Sequence, residues 1–150
     1  MKKSDRISAF VETLGSAPDF DFDPHYTGFF VCFNRGEYYE AHDVLEQLWL
    51  RTHDANRPFF QGLIQIAGAF VHLQKQFLRP GHPKDGRRLR PAARLFELGR
   101  RNIAPFAPVH HRLDVAALLA FCEEHVSALV AGDFEHNPWN PACAPRIKLR

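Results

Sequence analysis

Cysteine is scarce in this 150-residue chain: Cys32, Cys122 and Cys143 are odd in number, widely spaced and never in a CxxC pair. That pattern excludes a disulfide framework and a cysteine zinc site, and it fits a reducing compartment. Long apolar runs are missing too. Each hydrophobic stretch is broken by Gln, Gly or His well short of the roughly 20 residues of a membrane helix. The opening MKKSDRISAF has charge but no apolar run behind it. Neither a signal peptide nor a membrane span is expected, so the reading is a cytoplasmic protein. A Gly-rich phosphate loop, a GxSxG elbow and an HExxH pair are also absent, which removes three familiar routes to nucleotide or hydrolytic chemistry. Methionine occurs once and tyrosine three times, against fourteen phenylalanines. Large rigid rings, rather than flexible side chains, should fill the core.

Positive charge is sparse in about four fifths of the chain and dense in the rest. Residues 1–74 carry six Lys/Arg against ten Asp/Glu, and residues 102–150 carry four against five. Residues 75–101 carry nine against two, so one short segment is strongly basic although the whole chain is only +2.

Apolar periodicity predicts an all-α fold: a single compact array of about five main helices in residues 25–150, ending in an extended Pro-rich tail. Residues 1–24 read as an arm or short docking helix, with Ile7, Phe10, Val11 and Leu14 at helical spacing before GSAPDFDFDP breaks the pattern. Phe29, Phe30 and Phe33 mark a first core helix, which Asn34-Arg35-Gly36 ends because Gly tolerates the left-handed conformation. A second helix spans about Glu37–Arg51. The third, about Pro58–Phe77, is apolar nearly all round, as a buried central helix is. The fourth carries Leu89, Ala92, Phe96 and Ile103, and Pro91 either starts or kinks it. Asp114 caps the fifth, which closes at Gly132. APFAPVHHRL between them reads as a loop, with His110 and His111 exposed, and the tail NPWNPACAPRIKLR offers Trp139 and Ile147 for packing back.

Two arcs on neighbouring helices carry the candidate chemistry. At about 100° per residue, Tyr38, His42 and Trp49 fall on one face of the second helix, with Glu46 at its edge. Gln61, Gln65 and His72 share one face of the third. If the arcs meet, these side chains form one polar cluster in an apolar setting, where unpaired groups are costly. One reading is a structural hydrogen-bond network that locks the helices or lines a ligand pocket. A second is a divalent-metal site of His42, Glu46 and His72 in a metal-dependent hydrolase, three donors leaving a position for water. A third is a metal-free acid–base pocket of Glu46 and His42. The di-iron pattern fails, since Trp49 stands where Glu-x-x-His needs histidine. The structural reading comes first: no cofactor is assigned and no catalytic constellation marks an enzyme. Separately, Lys84, Arg87, Arg88, Arg90, Arg94, Arg100 and Arg101 are candidate anion-binding residues for a nucleic acid or acidic partner. Cys32 and Cys122 sit at apolar positions and read as core.

The blocks FNRGEYYEAHDVLEQLW (Phe33–Trp49) and FFQGLIQIAGAFVHL (Phe59–Leu73) resemble the small helical domain-of-unknown-function family three hundred and nine. The resemblance rests on Phe33, Asn34, Gly36, Tyr38 and Tyr39, on Glu40-Ala41-His42, on Glu46 and Trp49, and on Gln61-Gly62-Leu63-Ile64-Gln65. It is firmest over Phe33–Leu73. It implies a single all-helical domain, and it brings no established activity, substrate or cofactor with it.

Overall fold

The computed structural model describes residues 2–13 and 22–150. Leu14 and most of the predicted break after it lie outside them. The described chain is all-α apart from one small hairpin. Its helices are α1 Lys3–Thr13, α2 Pro24–Asn34, α3 Tyr38–Leu50, α4 Arg57–Leu78, α5 Leu89–Ile103 and α6 Val115–Ala131. The segment 104–114, expected to be a plain loop, holds a 3-10 turn at Ala104–Phe106 and two short antiparallel strands, β1 Val109–His110 and β2 Leu113–Asp114.

Local chemistry sets most of the helix ends. Asp23 accepts a hydrogen bond from the His25 amide and Pro24 occupies the first position of α2, where a missing N–H costs nothing. Gly36, at φ +73°, reverses the chain after α2, and the Glu37 amide closes the turn on the Cys32 carbonyl at 2.9 Å. Pro91 lies in the first turn of α5, so the helix starts beside it rather than kinking at it. The Asp114 carboxylate caps α6 through the Ala117 amide at 2.9 Å.

Helix α4 is the centre. It packs on α3 along one side and on α5 along another, burying Phe59, Leu63, Ile66, Phe70 and Leu73. The α4–α5 approach is closest at Gly62 and Gly99: a Cβ on Gly99 would stand 2.6 Å from Ile66 Cγ1 and 2.8 Å from the Gly62 carbonyl oxygen. Helix α1 lays Ile7 and Val11 into the core against α2 and α3.

Beyond α6 the chain crosses back over α2 and α3. Trp139 is buried, and its indole N–H donates to the Tyr38 hydroxyl at 3.1 Å. Asn34 grips Ile147 from both sides, its amide donating to the Ile147 carbonyl at 2.7 Å and its Oδ1 accepting from the Ile147 amide at 2.6 Å. The Arg150 amide then donates to the Arg112 carbonyl at 2.8 Å. A 3-10 turn at Pro141–Cys143, capped by the Asn140 side chain, breaks this segment.

Candidate functional site

The two predicted polar arcs do not meet. On α3, Tyr38 is fully buried beneath Trp139, whereas His42 and Glu46 face outward toward α1. His42 Nδ1 lies 3.2 Å from Asp43 Oδ1 and its Nε2 3.9 Å from Glu46 Oε2. Lys3 of α1 answers both carboxylates, at 3.5 Å from Asp43 and 3.7 Å from Glu46. Trp49 lies under the Arg57 guanidinium, 4.2 Å from its ring centroid.

The α4 arc turns to α5 instead. Gln65 Oε1 accepts from the Asn102 amide at 2.7 Å, and a Cβ on Gly68 would touch Leu95. Gln61 is half-buried on the same arc. His72 Nδ1 lies 3.1 Å from Arg88 Nη1. Because a guanidinium only donates, His72 accepts there, and its proton sits on Nε2. Burial, and then the charges of Arg88 and Lys75, push its pKa below the ordinary value. The expected metal triad of His42, Glu46 and His72 is therefore divided between two faces of the bundle. Among the described residues no three His, Cys, Asp or Glu side chains are grouped to hold an ion. The reason is architectural: helical period defines an arc, but α4 has neighbours on two sides, and its polar arc belongs to α5.

Among the described residues, neither of two cavities is lined by Tyr38, His42, Glu46, Trp49, Gln61, Gln65 or His72. One of about 270 Å³ lies under the tail, between Phe33, Leu118, Phe121 and Ile147. The other, about 310 Å³, lies between α1 and α3, beside Ile7, Phe10 and Tyr39.

The basic helix is more coherent. Its buried residues, Leu89, Ala92, Phe96, Gly99 and Ile103, fall within about 80° at 100° per residue. Arg90, Arg94 and Arg101 fall within about 40° on the opposite side, and all three are exposed. Among the described residues no carboxylate pairs with these three, nor with the exposed Lys84 and Arg87, whereas Arg88 binds Asp85 at 2.6 Å and Arg100 binds Glu97 at 3.0 Å. Arg88 and Arg100 are thus neutralised and drop out of the predicted anion-binding set. Arg90 is held in place, its guanidinium carbon 4.3 Å from the centroid of the Phe134 ring.

Residues 26–81 match the model of a domain of unknown function, DUF309. That segment, just over a third of the chain, is similar to DUF309. No curated protein and no solved structure shows a match to the chain. The DUF309 match covers α2, α3 and α4, and it ends before the arginine face of α5 begins. Within the matched segment, Asn34 and Tyr38 hold the tail. Cys32 and Cys122 are buried thiols, each pushed by burial to about 12, which suits packing and not nucleophilic chemistry.

Sequence reasoning missed one polar group. His110 and His111 are half-buried, not exposed, and both reach Asn56. The double histidine at a turn was the available signal. Its partner lies 54 residues away, where no local pattern points.

Proposed function

We propose that this protein is a binding module, with no catalytic role for its motif, that engages the phosphate backbone of a nucleic acid through the outer face of α5. The observation that carries the reading is the row of exposed, unpaired arginines opposite the buried face of that helix. From Arg90 to Arg101 the helix rises about 16 Å, the length over which one strand of a duplex presents about five phosphates. Guanidinium groups suit that partner because their fork matches phosphate oxygens. The Gly62–Gly99 contact supports the reading as well, since it seats α5 against α4 with the arginines outward. The polar groups of the DUF309 segment are assigned to packing: each of Asn34, Tyr38, Gln65 and His72 has a partner inside the fold. The proposed setting is the cytoplasm, supported by three free thiols; among the described residues no helix is long and apolar enough to cross a membrane.

Fluorescence anisotropy with labelled single-stranded and duplex oligonucleotides tests the reading. With about four phosphates neutralised, log K should fall with log salt at a slope of roughly −3 to −4. The substitution R94Q should weaken binding to all sequences alike and reduce the slope by about one. No binding at low salt, or binding untouched in the R90Q/R94Q/R101Q variant, would overturn it. Equal affinity for polyglutamate would instead assign the face to an acidic protein.

A further inference from the structure

Two histidines that are neighbours in the chain reach the same oxygen. His110 Nε2 lies 2.8 Å, and His111 Nε2 3.2 Å, from Asn56 Oδ1. Successive residues of a strand point to opposite faces, so this convergence requires a reversal of the backbone. It is present: His111 and Arg112 form the two-residue turn between β1 and β2, both left-handed, at φ +45° and +62°. Such turns favour Asn-Gly or Gly-Gly, because Gly has no Cβ to clash and Asn tolerates the left-handed region. Here a His-Arg pair adopts it, held by the Tyr26 hydroxyl, which donates to the His111 carbonyl at 2.9 Å. Backbone strain of this kind concentrates where a side chain must be aimed.

Asn56 is diverted as well. It occupies the N-cap of α4 yet makes no capping hydrogen bond, although Asn is among the best capping residues. Its side-chain oxygen serves the imidazoles instead. Aromatic rings wall the group: Phe59 and Phe106 lie 4.6 and 4.7 Å from the His110 ring, centroid to centroid. The two imidazoles stand nearly perpendicular, 4.3 Å apart. Burial lowers both pKa values.

We propose that His110 Nε2, His111 Nε2 and Asn56 Oδ1 form a three-donor face for one borderline divalent transition ion, zinc being the biological candidate. Donors at about 2.0–2.1 Å from an ion stand about 2.9–3.4 Å apart in octahedral or tetrahedral arrangements. The two imidazole-to-Asn56 separations, 2.8 and 3.2 Å, lie at or near that range. On binding, the proton that each Nε2 shares with Asn56 moves to Nδ1 of the same ring, and the ion takes the freed lone pair. Imidazole suits zinc, copper, nickel and cobalt, with the amide oxygen as a weaker third ligand. The half-buried position leaves the outer side of the ion to water. Asp54 adds negative charge near His111, and its carboxylate accepts from the backbone N–H of Asn56 at 2.8 Å. This site shares no residue with the arginine face and does not depend on it.

The test uses tag-free protein stripped with chelator and titrated with Co²⁺, followed by its visible absorption, and with Zn²⁺ by calorimetry. One equivalent should bind, and H110Q or H111Q should each weaken binding at least tenfold, while H42Q and H72Q leave it unchanged. Glutamine keeps an N–H near Asn56, and circular dichroism checks that the variants fold. Should they not fold, Co²⁺ broadening of imidazole resonances in the unaltered protein decides the matter: His110 and His111 should broaden first. Millimolar or weaker binding, binding unchanged in the H110Q/H111Q variant, or broadening centred on other histidines would overturn the proposal.

Discussion

Asn34 makes two hydrogen bonds to a single backbone unit, and alanine at this position would leave both the Ile147 N–H and its carbonyl without a protein partner. Each such loss in a half-buried setting costs about 1 kcal/mol or more. We expect Asn34→Ala to lower stability by about 1–3 kcal/mol, read as a shift in the urea midpoint. The loss should be accompanied by faster amide exchange at Ile147. Unchanged exchange there would show that the tail is held by other contacts. From the sequence Asn34 reads as part of a helix stop, which is only half of its role. The Asn-Arg-Gly turn does end α2, but the side chain serves a residue 113 positions later. No periodicity encodes a partner at that separation.

The α4–α5 pair carries the mechanical requirement of the basic face. Gly99 is where the two backbones come closest, and a methyl group there would overlap Ile66 and the Gly62 carbonyl oxygen. Backbone cannot give way as a side chain tip can. Gly99→Ala should therefore destabilise by about 1–3 kcal/mol, although alanine is the better helix former by about 1 kcal/mol. A thermal melt measures this, and a stabilised variant would show that α5 stands farther from α4. At this scale the sequence was informative about what each helix buries and poor about what each faces. The all-round apolar pattern of α4 correctly marks a central helix. The arc of Gln61, Gln65 and His72 is also real, yet the tendency of consecutive helices to pack together points it at α3. Central helices have more than one neighbour, and Gly68 against Leu95 shows which one the arc meets. The hairpin was illegible for a different reason: His-Arg is not the residue pair such turns prefer.

For the whole molecule, half-buried histidines set the response to acid. Burial pushes His72 and His125 below the ordinary 6.5. As pH falls through 6.5, the unfolded chain takes up protons that the folded protein refuses, so stability present above that pH is lost toward the folded-state values. Asp23, Asp85 and Asp114, lowered from 3.8, act in the same direction further into acid. Melting temperature should accordingly be nearly flat above pH 7 and decline from about pH 6.5 downward. His72→Gln should make that decline shallower. A melting temperature that rises between pH 7 and pH 5 would contradict the burial of these rings.

The clamp between Asn34 and Ile147 also has a consequence in time. At a synthesis rate of about 5–20 residues per second, its two halves, 113 residues apart, leave the ribosome roughly 6–23 seconds apart. Trp139, which covers Tyr38, arrives almost as late. Throughout that interval the nascent α2–α3 unit shows an unroofed tyrosine and an unmatched asparagine amide. Chaperones have that window in which to bind it, and translation pauses in the second half of the message would widen it.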